Sequence, residues 1–208
     1  MTEILYKDKY IVVCRKPAGL LSEGESGESL PRILSEELAE GGRQARVFTV
    51  HRLDRDTEGV MVYALNEKSA AILSSDIAER RFEKEYIARV NGRPDIDSGS
   101  MADLLYYDRQ KNKSFVVGRE RKGVKSASLD YTLLAFDENT NISEVAIKLH
   151  TGRTHQIRVQ FASRGMPLVN DRKYGAPKAP DFEGTPSLIA KRIAFTHPKT
   201  KEKMTFEI

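Results

Sequence analysis

Ile11-Val12-Val13-Cys14 is a short apolar run that stops at Lys16-Pro17-Ala18-Gly19, the pattern of a buried strand entering a tight turn. Ser29 then stands where a helix is capped. Pro31 falls early enough that its missing N–H costs nothing, and Leu30, Ile33, Leu34 and Leu38 form one apolar stripe before Gly41-Gly42 ends it. Strand patterns return at 47–50 and 60–65, separated by the polar stretch 51–59. Asn66 can cap a second helix with the stripe Ala70, Leu73 and Ile77. Beyond it strands dominate: 82–90, then 128–136 and 142–149 joined by a turn-like 137–141, and a closing pair at 193–196 and 203–208 across Pro198. The segment 154–164, between Gly152 and Gly165, suits a short helix. Few helices and many consecutive strands predict an α+β fold with a mixed, largely antiparallel sheet flanked by helices and loops. No linker, repeat or low-complexity tract interrupts the pattern, so residues 1–208 are expected to form a single domain.

The composition narrows the classes. With 39% hydrophobic and 31% charged residues and a mean hydropathy of −0.49, the chain has no apolar run near the ~18 residues of a membrane span. The opening MTEILYKDKY is no secretory signal, which predicts a cytoplasmic protein. The single cysteine, Cys14, excludes an internal disulfide framework and a cysteine-based zinc site, and reads as a buried apolar thiol. The net charge of +4 says little, but its distribution says more. Residues 1–40 carry five basic side chains against eight acidic ones, whereas 108–125 carry seven against two and 148–178 seven against one. A basic face follows, made of Arg109, Lys111, Lys113, Arg119, Arg121, Lys122 and Lys125 with Arg153, Arg164, Arg172 and Lys173. Its natural polyanion is nucleic acid, with a solvated charged surface as the plainer reading.

Three segments are out of character for ordinary core or surface. His51-Arg52-Leu53-Asp54-Arg55-Asp56-Thr57-Glu58-Gly59 concentrates carboxylates, guanidiniums and an imidazole between two buried strands, where side chains are held rigidly. Lys84-Glu85-Tyr86 sets a tyrosine among charges in a strand. His150-Thr151-Gly152-Arg153-Thr154-His155-Gln156-Ile157-Arg158 packs two histidines and two arginines at a strand-to-helix turn.

Together these segments resemble the RluA-type pseudouridine synthases, whose catalytic loop reads HRLD, two variable residues and TSG, followed by a KxY element and by TGRTHQ(L/I)R, here Thr151 to Arg158. Lys16-Pro17-Ala18-Gly19-Leu20, Pro167-Leu168, Asp171 and Tyr174-Gly175 also fall in family order, so the resemblance spans essentially the whole chain. It implies the catalytic domain of an RNA-modifying isomerase, without the S4-type RNA-binding domain that precedes it in some members. It further implies Asp54 as catalytic aspartate, Tyr86 against the target base and Arg158 as the partner that salt-bridges Asp54. Arg52 would fill the space left by the flipped nucleoside. Arg153, His155, Lys111, Lys113, Arg121 and Lys122 are the expected RNA-binding side chains. Glu58, in place of the usual Ser, and Gln160, in place of a frequent His, depart from the pattern, and Glu58 adds negative charge beside the RNA path.

The chemistry agrees with the resemblance. Isomerising uridine breaks N1–C1′, turns the base and joins C5 to C1′ with no net redox change, so no cofactor and no metal is required. An anion near C1′ is required, and a carboxylate is ionised at neutral pH, serving either as nucleophile or as base for the C2′ proton. The implied partner is RNA, ribosomal or transfer, with no DNA or membrane, and the protein is expected to be monomeric. Rivals are weaker. A haloacid-dehalogenase-type phosphatase is mimicked by Asp54-Arg55-Asp56-Thr57, but His51 and Arg52 break the preceding apolar run and crossover helices are absent. A metal hydrolase on His51, His150, His155 and His197 lacks ligand spacing on a shared helix face. A non-catalytic RNA-binding module has no use for an aspartate facing a phosphodiester.

Overall fold

The computed structural model describes residues 1–24, 27–41, 43–177 and 185–208; Gly42, and Lys178 at the end of the second basic segment, lie outside these. The elements in chain order are β1 (Glu3–Lys7), β2 (Ile11–Lys16), α1 (Leu30–Glu37), β3 (Phe48–Thr49), β4 (Glu58–Ala64), α2 (Glu67–Ala78), β5 (Glu83–Asn91), β6 (Ser98–Asp108), β7 (Lys113–Val117), β8 (Val124–Asp137), β9 (Ile142–Leu149), α3 (Gln156–Ala162), a single 3-10 turn (Arg172–Tyr174), β10 (Leu188–Thr196) and β11 (Lys203–Glu207). The predicted α+β class with a mostly antiparallel sheet is the one observed. The chain gathers into two compact units, Met1–Lys84 with Ala190–Ile208, and Glu85–Ile189.

In the first unit the strands run β1–β2–β4–β10, with β3 beside β4 and β11 beside β10. The ladders β1–β2, β2–β4, β3–β4 and β10–β11 are antiparallel. Six of the seven β4 residues are buried, which is why Val60 to Ala64 reads as a continuous apolar run rather than an alternating one. Val60, Val62 and Ala64 join Ile11, Val13, Leu73, Phe82, Ile193 and Phe195 in the core. Gly59 has φ +139°, and a Cβ there would lie 2.3 Å from the Ala190 carbonyl oxygen, so only glycine lets the loop enter β4 at this point. Asn66 caps α2 as expected, its side chain accepting the Ser69 N–H at 2.9 Å. Ser29 occupies the N-cap of α1, but its hydroxyl donates to the Gly24 carbonyl at 2.7 Å instead of capping the helix.

The second unit is one antiparallel run, β5–β9–β8–β6–β7. Leu105, Ala127, Val159 and Tyr174 form a core between the sheet and α3. Three strands have no counterpart in the sequence pattern. β1 is an exposed edge strand, and β6 and β7 are rich in Gly, Ser, Asp and Lys and bury few residues, so no strict alternation marks them.

Candidate active site

In the first unit the chain leaves β3, crosses the polar loop and returns as β4. His51 is buried, its Nε2 accepting the Val62 N–H at 3.1 Å and its ring lying 5.2 Å from that of Phe82. Burial, with the charge of Lys84, holds the imidazole well below its usual pKa and thus neutral, which keeps Nε2 an acceptor. Asp54 is half-buried, and the backbone on each side of it is pinned. The buried Ser22 hydroxyl donates to the Leu53 carbonyl at 2.8 Å and accepts the Leu53 N–H at 3.2 Å. On the other side the Arg55 carbonyl accepts from Gly19 N–H at 2.9 Å and from Lys16 Nζ at 2.8 Å, while Arg55 Nε donates to the Gly19 carbonyl at 2.8 Å. Thr57 N–H donates to the Asp54 carbonyl at 3.1 Å and closes the turn. Arg52 is exposed and pairs with Glu23 at 3.0 Å.

In the second unit Tyr86 is buried on β5, paired in register with Ile147 of β9. Arg158 is buried in α3, where its Nε and Nη2 form a fork with the buried carboxylate of Asp171 at 2.6 and 2.8 Å. Its guanidinium lies 5.2 Å from the ring centre of Tyr174. The Tyr174 hydroxyl accepts the Ser114 N–H at 2.8 Å and shares a 2.9 Å hydrogen bond with His155 Nδ1, so β7, α3 and the 3-10 turn meet at one ring. His155, at φ +54°, is the left-handed residue that starts α3. Gln156 binds the Thr151 hydroxyl, the Arg153 N–H and the Ser128 carbonyl, which fastens the turn before the helix to β8.

Most of the expected basic face is exposed and interleaved with aromatic rings. Arg121 lies over Tyr106, Lys111 over Phe115, and the half-buried Lys113 over Tyr174. Arg121, Lys125 and Arg153 line an open groove of about 500 Å³ with Leu104, Glu120, Val124 and Ser126. Arg164, by contrast, is neutralised in a fork with Asp103 at 2.9 and 3.3 Å. Each histidine is engaged separately, His150 with Asp130 and His197 with Asp8. Among the described residues no group of three or more His, Cys, Asp or Glu is placed to hold a metal ion.

The sequence pattern of RNA pseudouridylate synthase matches residues 10–163, about three quarters of the chain, which takes in the polar loop, β5 and the turn before α3 but not Asp171 or Tyr174. The chain belongs to the RNA pseudouridylate synthase family. As a member it is an isomerase acting on RNA. It is 34% identical over 205 residues to the dual-specificity RNA pseudouridine synthase RluA of Salmonella typhimurium, covering 99% of this chain and 91% of that protein. An uncharacterised RNA pseudouridine synthase of Aquifex aeolicus is 37% identical over 218 residues, covering 99% of this chain and 68% of the relative. Among solved structures, human RNA pseudouridylate synthase domain containing 4 is similar with a TM-score of 0.79 and 25% identity, over 99% of this chain and 87% of that one. The two departures from the family pattern have local explanations. Glu58 is compensated by Arg15 at 3.1 Å, and Gln160 is buried with its amide donating to Asp103 at 2.7 Å. The sequence reading missed Ser22, Lys16, Asp171 and Tyr174 as supports of the site. The only signal for the last three was their place in the family order of motifs.

Proposed function

We propose that the protein converts specific uridines of ribosomal or transfer RNA to pseudouridine with Asp54 as the reacting carboxylate. The observation that supports this best is the pinning of both of its neighbours, Leu53 by Ser22 and Arg55 by Lys16 and Gly19, which aims a half-buried carboxylate from an otherwise polar loop. Asp54 either adds to C1′ as N1 leaves or takes the C2′ proton. The detached base turns and C5 bonds to C1′ as the Asp54–C1′ bond breaks or, on the second route, as C2′ takes its proton back from Asp54; the C5 proton then passes to solvent and N1 gains a proton. Tyr86 stacks on the base, and Arg158 is the cation that serves Asp54. Arg52 exchanges Glu23 for the RNA and fills the space of the flipped nucleotide, whose extrusion costs a few kcal/mol and least in loops. Arg153, Lys111, Lys113, Arg121, Lys122 and Lys125 hold flanking phosphates, and His155 orders the turn that carries Arg153. The enzyme works as a cytoplasmic monomer without cofactor, on RNA rather than DNA.

Purified protein incubated with ribosomal and transfer RNA transcripts, followed by pseudouridine-specific carbodiimide labelling, tests the reading. New labelled sites in at least one RNA class are the expected result. Tight binding with no labelled site in either class would leave an RNA-binding module instead.

A further inference from the structure

In the β6–β8 ladder Leu104 stands opposite Ser126 and Tyr106 opposite Val124, so these four side chains share the sheet face opposite the Leu105–Ala127 core. Leu104, Val124 and Ser126 floor the open groove of about 500 Å³, which Glu120, Arg121, Lys125 and Arg153 border. That volume suits one nucleotide. Its walls are held in place. Arg121 lies over the Tyr106 ring at 4.9 Å, the Val124 N–H donates to the Arg121 carbonyl at 3.0 Å, and Gly123, at φ +87°, lets the chain turn between them. Arg153 Nε donates to the Ser126 carbonyl at 2.9 Å, which leaves its two amino groups to donate elsewhere.

One residue does not fit a phosphate surface. Residues 108–125 carry seven basic side chains and two acidic ones, Asp108 and Glu120. Asp108 has a local task, its carboxylate accepting the Lys111 N–H at 3.0 Å in the turn between β6 and β7. Glu120 is exposed at the groove, and among the described residues it forms no ion pair with the cations beside it. A carboxylate repels phosphate and needs a partner that donates. RNA offers donors on the edges of its bases.

We infer that the groove binds a single unpaired guanosine of the RNA substrate, its base stacked on Arg121 and its Watson–Crick edge read by Glu120. The two oxygens of a carboxylate accept donors that lie side by side, and guanine alone among the four bases presents two, N1–H and the N2 amine. Adenine and cytosine set one amine beside a bare ring nitrogen. Uracil sets one N–H between two carbonyls, which a carboxylate repels. Tyr106 backs the guanidinium, so the stack runs tyrosine, arginine, base. Lys125 and the amino groups of Arg153 meet the phosphate. A guanidinium stacks through its face and donates through its edge, so Arg121 serves base and phosphate together. The edge that Glu120 reads is the one a paired guanosine hides, which directs the enzyme to RNA with a single-stranded guanosine near the target uridine. This rests on the phosphate contacts given above to Arg121, Lys125 and Arg153.

Fluorescence anisotropy with five labelled RNA pentamers tests the site without turnover: AAGAA, and the same strand with adenosine, cytidine, uridine or inosine in the middle. Inosine keeps N1–H and lacks the N2 amine. Wild-type protein is expected to bind the guanosine strand about tenfold more tightly than the adenosine, cytidine and uridine strands, with inosine between. Glu120→Ala is expected to bring the guanosine strand to the level of the others, leaving the adenosine strand within about threefold and the salt dependence and Tm unchanged. Arg121→Ala is expected to weaken all five about fivefold or more. Equal wild-type affinity for the five strands, or a guanosine preference that survives Glu120→Ala, overturns the proposal. So does an equal tightening of all five in Glu120→Ala, the mark of a carboxylate that only offsets charge. Absence of binding to every pentamer overturns the site together with the phosphate contacts. Guanosine selectivity in a protein that isomerises no RNA upholds the site and counts against the proposed function alone.

Discussion

The two units support their charged residues in opposite ways. In the first, Asp54 is aimed through main-chain bonds to its neighbours, made by a serine hydroxyl, a lysine ammonium and a glycine amide. In the second, Arg158 is held by its own side chain, forked onto Asp171 and laid on Tyr174. The difference follows from length and chemistry. An aspartate carboxylate sits one methylene from the main chain, so fixing the backbone on both sides leaves it only a few staggered positions. A guanidinium on three methylenes has to be gripped at its head, and its planar donors suit a carboxylate fork. Damage should therefore spread differently from each unit.

Asp171→Asn should do the most harm, since it replaces the charged half of a buried carboxylate–guanidinium fork with a neutral amide. A loss of about 3 to 5 kcal/mol in denaturant unfolding is expected, together with turnover; a stable variant with normal turnover would remove Asp171 from the support of Arg158. Gly59→Ala should cost about 3 kcal/mol through strained φ and overlap with Ala190, read as a Tm drop on the order of 10 °C. A drop of a degree or two would mean that the loop entrance yields. Ser22→Ala removes both bonds to Leu53 and should cost about 1 to 3 kcal/mol, with kcat reduced more than KM is raised. A pure KM effect would place Ser22 in RNA binding. The smallest effect concerns the groove: replacing Arg121, Lys125 and Arg153 by alanine should leave stability within about 0.5 kcal/mol. For single-stranded RNA it should flatten the salt dependence of affinity by about 0.7 per lost phosphate contact.

The same contrast sets what could be read from the sequence. The residues proposed to act, Asp54, Tyr86 and Arg158, lie in contiguous motifs and so could be named from the sequence, and the strands with strong apolar patterns such as β2, β4 and β9 were legible. The bonds that support Asp54 were not, because they join residues far apart in the chain: Ser22 and Leu53 are 31 positions apart, Lys16 and Arg55 are 39 apart. Ser29 shows the limit of local rules, since its hydroxyl found the Gly24 carbonyl rather than the helix end. The β6–β7 hairpin read as a basic segment because its strands are half-exposed and its cations face solvent.

Whether Asp54 performs the isomerisation is read by the release of tritium from RNA labelled at uridine C5, because that hydrogen leaves only when C5 joins C1′. Wild-type protein should release tritium in step with pseudouridine formed. Asp54→Asn should bind the same RNA with affinity within about threefold, keep its Tm, and release tritium at least about 1,000-fold more slowly. Release by a homogeneous preparation of Asp54→Asn at a rate near that of the wild type would contradict the account.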